Sequence, residues 1–352
     1  MKTIRLALLS FATAIGSLVA SAQQASTEAF VSSVTGSASV IAPGSTNAVP
    51  VVTGQKLPEG STISTAEGST VLIQSHLGIA TGVASKSTVT IGAHSVSADG
   101  VRTAVIDLKQ GTTVSVLDPT KRTINNYAVR TPKGVAAARG TTYSTTVTLS
   151  SGGEAIVTVN TLTGAVSFAI VGGATVSVTE GYSATSASTT STSISSAIAA
   201  ATPAQQADIA EALKATVTVA SIVAQASTTT GDINAASTLQ SVVTAVTTAA
   251  NEVAVNNPTL GGTIVTNTVT SVQAFAGDSS ATVVASIQST ATGSNATAAN
   301  TAAANPVPAQ TVTVSTNTEG TQTITPAPVD APAATPATPA TPDVTVIVSP
   351  AQ

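Results

Sequence analysis

Short runs of alternating β-branched and small residues, punctuated by glycine at intervals of about 8–12 residues, predict a mainly β fold over residues 28–184. Beyond residue 200 the apolar residues recur at spacings of three and four, which predicts a small α-helical region rich in Thr, Val and Ala. Proline at every third position in 333–342 predicts a disordered, extended tail. The chain thus divides into a β domain at 28–184, a Ser/Thr linker at 185–200, helices at 201–292 and a low-complexity Ala/Thr/Pro-rich tail at 293–352.

The segment before the β domain reads as an export signal. Met1-Lys2-Thr3-Ile4-Arg5 is basic, residues 6–19 are largely apolar, and Ala20-Ser21-Ala22 supplies a small-residue cleavage site, so a signal peptide is expected at 1–22 with cleavage after Ala22. Ser10, Thr13, Gly16 and Ser17 interrupt the apolar run, which falls short of the ~20 apolar residues that span a bilayer. Later apolar segments are broken by Thr, Ser, Gly or a charge, and no transmembrane segment is expected after cleavage. The mature protein is therefore expected outside the cytoplasm, secreted or periplasmic. Cysteine is absent, which removes disulfides, lipoprotein-type acylation and thiolate chemistry.

Within the β region, strands are expected at 49–52, 70–73, 88–91, 104–108, 113–117, 127–130, 142–149, 155–159, 165–170 and 175–178. Small β-branched side chains suit stacked strands, and the regular spacing fits a solenoid or a sandwich. Glycine supplies the positive φ of tight turns, so hairpins are expected at Ser150-Ser151-Gly152-Gly153 and at Thr163-Gly164.

In the helical region Thr202 is placed to cap a helix that opens at Pro203, with Asp208 and Glu211 toward its positive end. Ile209, Leu213, Val217 and Ala220 form its apolar face. Further helices are expected at 232–255, 258–275 and 279–288. Thr and Val are modest helix formers, so these segments depend on tertiary packing. In the tail, the alternating run 344–348 has the pattern of a docking strand.

Groups able to do chemistry are few. His76 and His94 are the two histidines, both expected at turns or on the surface, and no P-loop, G-x-S-x-G, H-E-x-x-H or G-x-G-x-x-G run occurs. Carboxylates are scattered singly, without a metal-binding loop. A non-enzymatic protein with no metal and no cofactor is expected.

Charge is distributed unevenly. Residues 23–140 carry nine Lys/Arg against six Asp/Glu, whereas 141–352 carry Lys214 alone against ten acids. Most of the basic excess lies between Arg102 and Arg139, where Lys121, Arg122, Arg130 and Lys133 are candidates for a patch facing an envelope protein or an anionic polymer. Nucleic acid is a poor candidate, since Tyr127 and Tyr143 are the only aromatics nearby. Arg139 stands apart, among alanines, and is expected to be a buried or half-buried organiser of turns.

The stretch YAVRTPKGVAAARGTTYSTTV, containing Thr131, Pro132, Arg139, Gly140, Thr141 and Tyr143, resembles the signature of the FecR domain. Upstream, GQKLPEGSTISTAEGSTVLI and IDLKQGTTVSVL are similar to that family's opening glycine pattern and its middle strand pair. The resemblance covers about residues 30–181 and implies a β-rich extracytoplasmic module used for protein contacts. The members that give the family its name add a cytoplasmic anti-sigma region and a transmembrane helix, neither of which is read in this sequence. The expected function is an exported FecR-like protein that binds or scaffolds protein or polymer partners in the cell envelope. The alternatives are a self-assembling component of a surface layer or matrix and an accessory part of a cell-surface signalling system.

Overall fold

The computed structural model describes residues 28–150, 152–230, 235–310 and 312–315, with the side chains of 227–230 not among them. The leader at 1–22, the Ala-Thr-Pro repeat and the strand expected at 344–348 lie outside the described residues.

The chain is a strand-rich, mixed β structure followed by helices. It opens with β1 (Ala29–Thr35), β2 (Ala38–Ile41), β3 (Ala48–Pro50), β4 (Lys56–Leu57) and β5 (Thr62–Thr65). Longer strands follow: β6 (Thr70–His76), β7 (Ile79–Val83), β8 (Thr88–Val96) and β9 (Arg102–Leu117). After a single 3-10 turn at Pro119–Lys121 come β10 (Asn125–Thr131), β11 (Gly134–Ala138), β12 (Thr142–Leu149) and β13 (Ala155–Thr163). The set ends with β14 (Ala165–Ile170), β15 (Thr175–Thr179), β16 (Tyr182–Thr185) and β17 (Thr192–Ser193).

Pairing sorts these strands into two layers. Layer one runs β4, β1, β6, β7, β9, β12, β13, β16, β17. Layer two runs β3, β2, β5, β8, β9, β10, β11, β14, β15. Only the β9–β10 pair is parallel among the described strands. From β10 onward the chain adds two strands at a time to alternate layers, and each layer ends in an open edge, so neither closes into a barrel.

Strand β9 belongs to both layers, because Gly111 lets it bend from one to the other. Gln110 pairs with Thr88 in layer two, and Gly111 pairs with Val147 in layer one. Gly111 has φ +85°, and a Cβ there would lie 2.6 Å from the Ser87 Cα, so this crossing requires glycine. The sequence pattern read this strand as two.

A correction concerns Thr163-Gly164. The expected hairpin is a crossing between layers: β13 pairs with β12 and β16, and β14 pairs with β11 and β15. Alternation with a glycine between is common to both geometries, and the strand that comes next decides between them. The expected hairpin between β12 and β13 is present.

Inward-facing residues of both layers, among them Val31, Ile73, Ile63, Val89, Ile91, Ile106, Phe168 and Val178, form one apolar core. Phe168 is fully buried, which contributes roughly 2–3 kcal/mol relative to exposure.

Layer one is also covered on its outer face. Helices α1 (Ile194–Ala200), α2 (Pro203–Thr230), α3 (Ala235–Asn256), α4 (Pro258–Phe275), α5 (Ser280–Thr290) and α6 (Ser294–Ala304) form a second apolar cluster. Helix α2 is apolar on two sides. Ile209, Leu213, Val217 and Ala220 face the other helices, while Ala215, Val219 and Ile222 pack on Leu72, Val114 and Val116 of layer one. Buried threonines in the helices turn their hydroxyls back on their own backbone: Thr216 Oγ1 donates to Ala212 O at 2.7 Å and Thr247 Oγ1 to Val243 O at 2.7 Å. That bond satisfies the hydroxyl of a threonine buried within a helix.

The stretches read as linker and tail differ from expectation. Residues 185–200 carry β17 and α1, which Ser193 caps by accepting from the Ser196 N–H, and α6 lies within the stretch assigned to the tail. Ala299 and Ala302 of α6 are buried, so small residues suffice for packing there. Beyond α6 the chain returns to layer one, where Val312 joins the α2 contact and Ser315 N donates to Ser32 O at 2.9 Å.

Candidate functional site

The motif residues 131–143 form a structural joint. Thr131 Oγ1 donates to Gly134 O at 2.7 Å across the β10–β11 turn, where Pro132 is exposed. Gly140 has φ +67°, and a Cβ on it would lie 2.6 Å from the Pro119 Cα. Thr141 is fully buried, donating from Oγ1 to Ala165 O at 3.1 Å, and its carbonyl accepts from Leu117 N. Tyr143, also fully buried, donates its hydroxyl to Ala136 O at 3.4 Å and so reaches from layer one to layer two. Burial, and then the neighbouring Tyr127, pushes its hydroxyl well above the ordinary tyrosine value. Arg139 is exposed, which corrects the expectation that it is enclosed. Its side chain leaves the strand on the solvent side, and Gly140, Thr141 and Tyr143 organise the joint instead.

The four basic candidates do not gather into one patch. Lys121 and Arg122 precede β10 and Lys133 follows it, so the length of that strand, roughly 20 Å, separates them. Three are ion-paired: Lys121 with Asp118, Arg130 with Asp107 through Nη2 at 2.8 Å, and Lys133 with Glu154 at 3.0 Å. Burial opposes ionisation of Asp118, but hydrogen bonds from Lys121 and Thr120 outweigh it and hold the carboxyl below its usual value. Arg122 is exposed and makes no ion pair among the described residues.

His76 and His94 are not at the surface. Each is 8% exposed, and their rings stack with centroids 4.0 Å apart. His76 Nε2 faces Thr103 O at 3.2 Å and His94 Nε2 faces Ser75 O at 2.7 Å; a carbonyl can only accept, so both Nε2 atoms carry the proton. Burial, followed by the neighbouring His94, lowers His76 to about 4. The strand pattern could not show this pair, because β6 and β8 lie in different layers.

A cleft of about 300 Å³ lies between layer one and the first helices. Polar side chains cross its floor in register: Asn160 and Ser183 of β13 and β16, then Thr146, Thr158 and Thr185 of β12, β13 and β16. Asn160 is fully buried and donates from Nδ2 to Ser144 Oγ at 3.3 Å, while its Oδ1 and the Ser183 Oγ have no partner among the described residues. Ala197, Ala200 and Ile209 form an apolar wall, and Asp208 stands at the rim, its carboxyl raised by desolvation. No cluster of three or more metal-ligating side chains occurs among the described residues.

No family model and no curated protein matches the chain. Two crystal structures described as a "putative anti-sigma factor" from Parabacteroides distasonis, at 2.50 and 1.65 Å, are similar to it with 12% identity and a TM-score of 0.29. The match covers 35% of this chain and 53% of the other, so this chain spans about half the length of the solved chains it matches.

Proposed function

We propose that the chain is an exported, non-enzymatic FecR-like protein that binds or scaffolds protein or polymer partners in the cell envelope, outside the cytoplasmic membrane. The observation that carries this reading is an asymmetry between the layers. Helices cover the outer face of layer one, whereas no described element lies over the outer face of β10, β11, β14 and β15. On that face Ala128, Ala137, Ser167 and Ser177 stand in register across four strands, and Arg130, Val135, Ala169 and Thr175 form the next row. Ser167, Ala169, Thr175 and Ser177 are all exposed. Small side chains on a rigid sheet cost little entropy to order, which suits contact with a protein or a stiff polymer.

The leader read at 1–22 would deliver such a module to the envelope, and the resemblance to FecR domains points to protein contacts. A second reading, self-association, is favoured by the open edge of β15, which among the described strands pairs with β14 alone. The test is cosedimentation with envelope material from the native host. Ser167→Arg with Ser177→Arg should abolish retention while the protein stays folded; retention unchanged in that variant, but lost in Arg122→Glu, would move the contact to the basic residues. Concentration-dependent growth in light scattering would favour self-association.

A further inference from the structure

We propose that the cleft between β12–β13–β16 and the start of the helical region is a binding site for a neutral pyranose unit. Its floor is an ordered array of hydroxyl and amide groups held by strand register, with rows spaced by the strand repeat. Buried polar atoms are nearly always hydrogen-bonded, yet Asn160 Oδ1 and Ser183 Oγ at this floor have no partner among the described residues. Interchanging the Asn160 oxygen and nitrogen does not remove the vacancy: one end of the amide meets Ser144, and the other remains to be satisfied.

The chemistry of the lining narrows the ligand. Among the described residues no Lys or Arg lines the cleft, so the lining offers no cation to balance a phosphate or carboxylate. Asp208 is the single carboxylate, placed at the rim, where it can accept from a hydroxyl. Thr158 and Thr185 are partly exposed on the polar side, and Ala197 and Ala200 present an apolar side opposite. A sugar ring has this division, with hydroxyls around its edge and C–H groups on its face. The volume lies at the lower end of the range of small-molecule sites, about 300–1,000 Å³, and suits one ring.

This inference concerns the opposite side of the molecule from the sheet face proposed above, and either can fail without the other. The probe is a set of neutral pyranosides, namely methyl α-glucoside, methyl β-glucoside, methyl β-galactoside and N-acetylglucosamine, read by saturation-transfer NMR on the full chain. At least one should receive saturation, with loss of about tenfold in affinity in Thr158→Val, which removes a hydroxyl and keeps the shape. Ala200→Trp, at an exposed position of α1, should fill the cleft and abolish the signal without unfolding the protein. A polysaccharide of the same sugar that binds while the free pyranoside also does would place a polymer unit in the site; binding of the polymer alone, insensitive to Ala200→Trp, would overturn the proposal. So would the absence of transfer from every pyranoside, or a signal that survives both variants.

Discussion

The hydroxyl of Tyr127 lies 2.7 Å from that of Thr81, joining layer two to layer one through the middle of the apolar core. Ser115 Oγ donates to the same Tyr127 oxygen at 3.1 Å, and all three residues are 1% exposed or less. Burial raises the Tyr127 hydroxyl to about 12, partly offset by its bonds with Ser115 and Thr81, so it is protonated at neutral pH. Tyr127→Phe keeps the ring but leaves two buried hydroxyls without their shared partner. The expected cost is about 1–3 kcal/mol, read from the urea unfolding midpoint. A variant as stable as the parent would show that the two hydroxyls find other partners.

The stacked histidines give stability a defined pH dependence. In the unfolded chain His76 binds a proton near 6.5, whereas in the fold burial and His94 delay this to about 4. The unfolded state therefore holds more protons between those values, and stability present above pH 6.5 is lost as the pH falls toward 4. The loss should be roughly 3 kcal/mol for this one group. Urea titrations at pH 7 and pH 4.5 measure it, and His76→Gln should flatten the difference; an equal slope in that variant would assign the effect to other groups.

At the motif, Gly140→Ala and Arg139→Ala should behave oppositely. The first forces a side chain into a left-handed φ and against the Pro119 backbone, at an expected cost of about 2 kcal/mol or more. The second removes an exposed side chain and should stay within ~0.5 kcal/mol. Thermal melts of the two variants decide this, and a large drop for Arg139→Ala would restore an organising role to the arginine.

Docking of α2 can be read at Gly82 of β7. A Cβ at this position would lie 2.2 Å from Val219 Cγ2, so Gly82→Ala should push the helix away from layer one. Faster hydrogen exchange across α2 with little change in layer two is the expected result. Gly82→Ala paired with Val219→Ala should recover part of the protection, since the second change makes room for the first.

Local signals proved legible where a single residue sets a boundary. The helix expected at 258–275 begins at Pro258, and Asn257 Oδ1 accepts from Leu260 N in the structure. The apolar row Ile209, Leu213, Val217 pointed to one buried side of α2. Its second buried side escaped notice because Ala215 and Val219 meet a sheet, a contact that helical periodicity does not encode. Likewise α6 is nearly all Ala, Asn and Thr, and looks like low complexity until its alanines meet the other helices. The cleft was invisible for a related reason: Asn160, Ser183 and Thr185 become neighbours only through strand register, and serine and threonine are too common here to mark a site by themselves.

The uncovered sheet face is proposed as the surface that holds the chain to its envelope partner. Hydrogen exchange of the full chain with and without envelope material tests it most directly. Slowed exchange at β14 and β15 is the expected result, whether or not the cleft beside α1 is also protected. Protection confined to the helices, or none at β14 and β15 under conditions where the chain is retained, would contradict it.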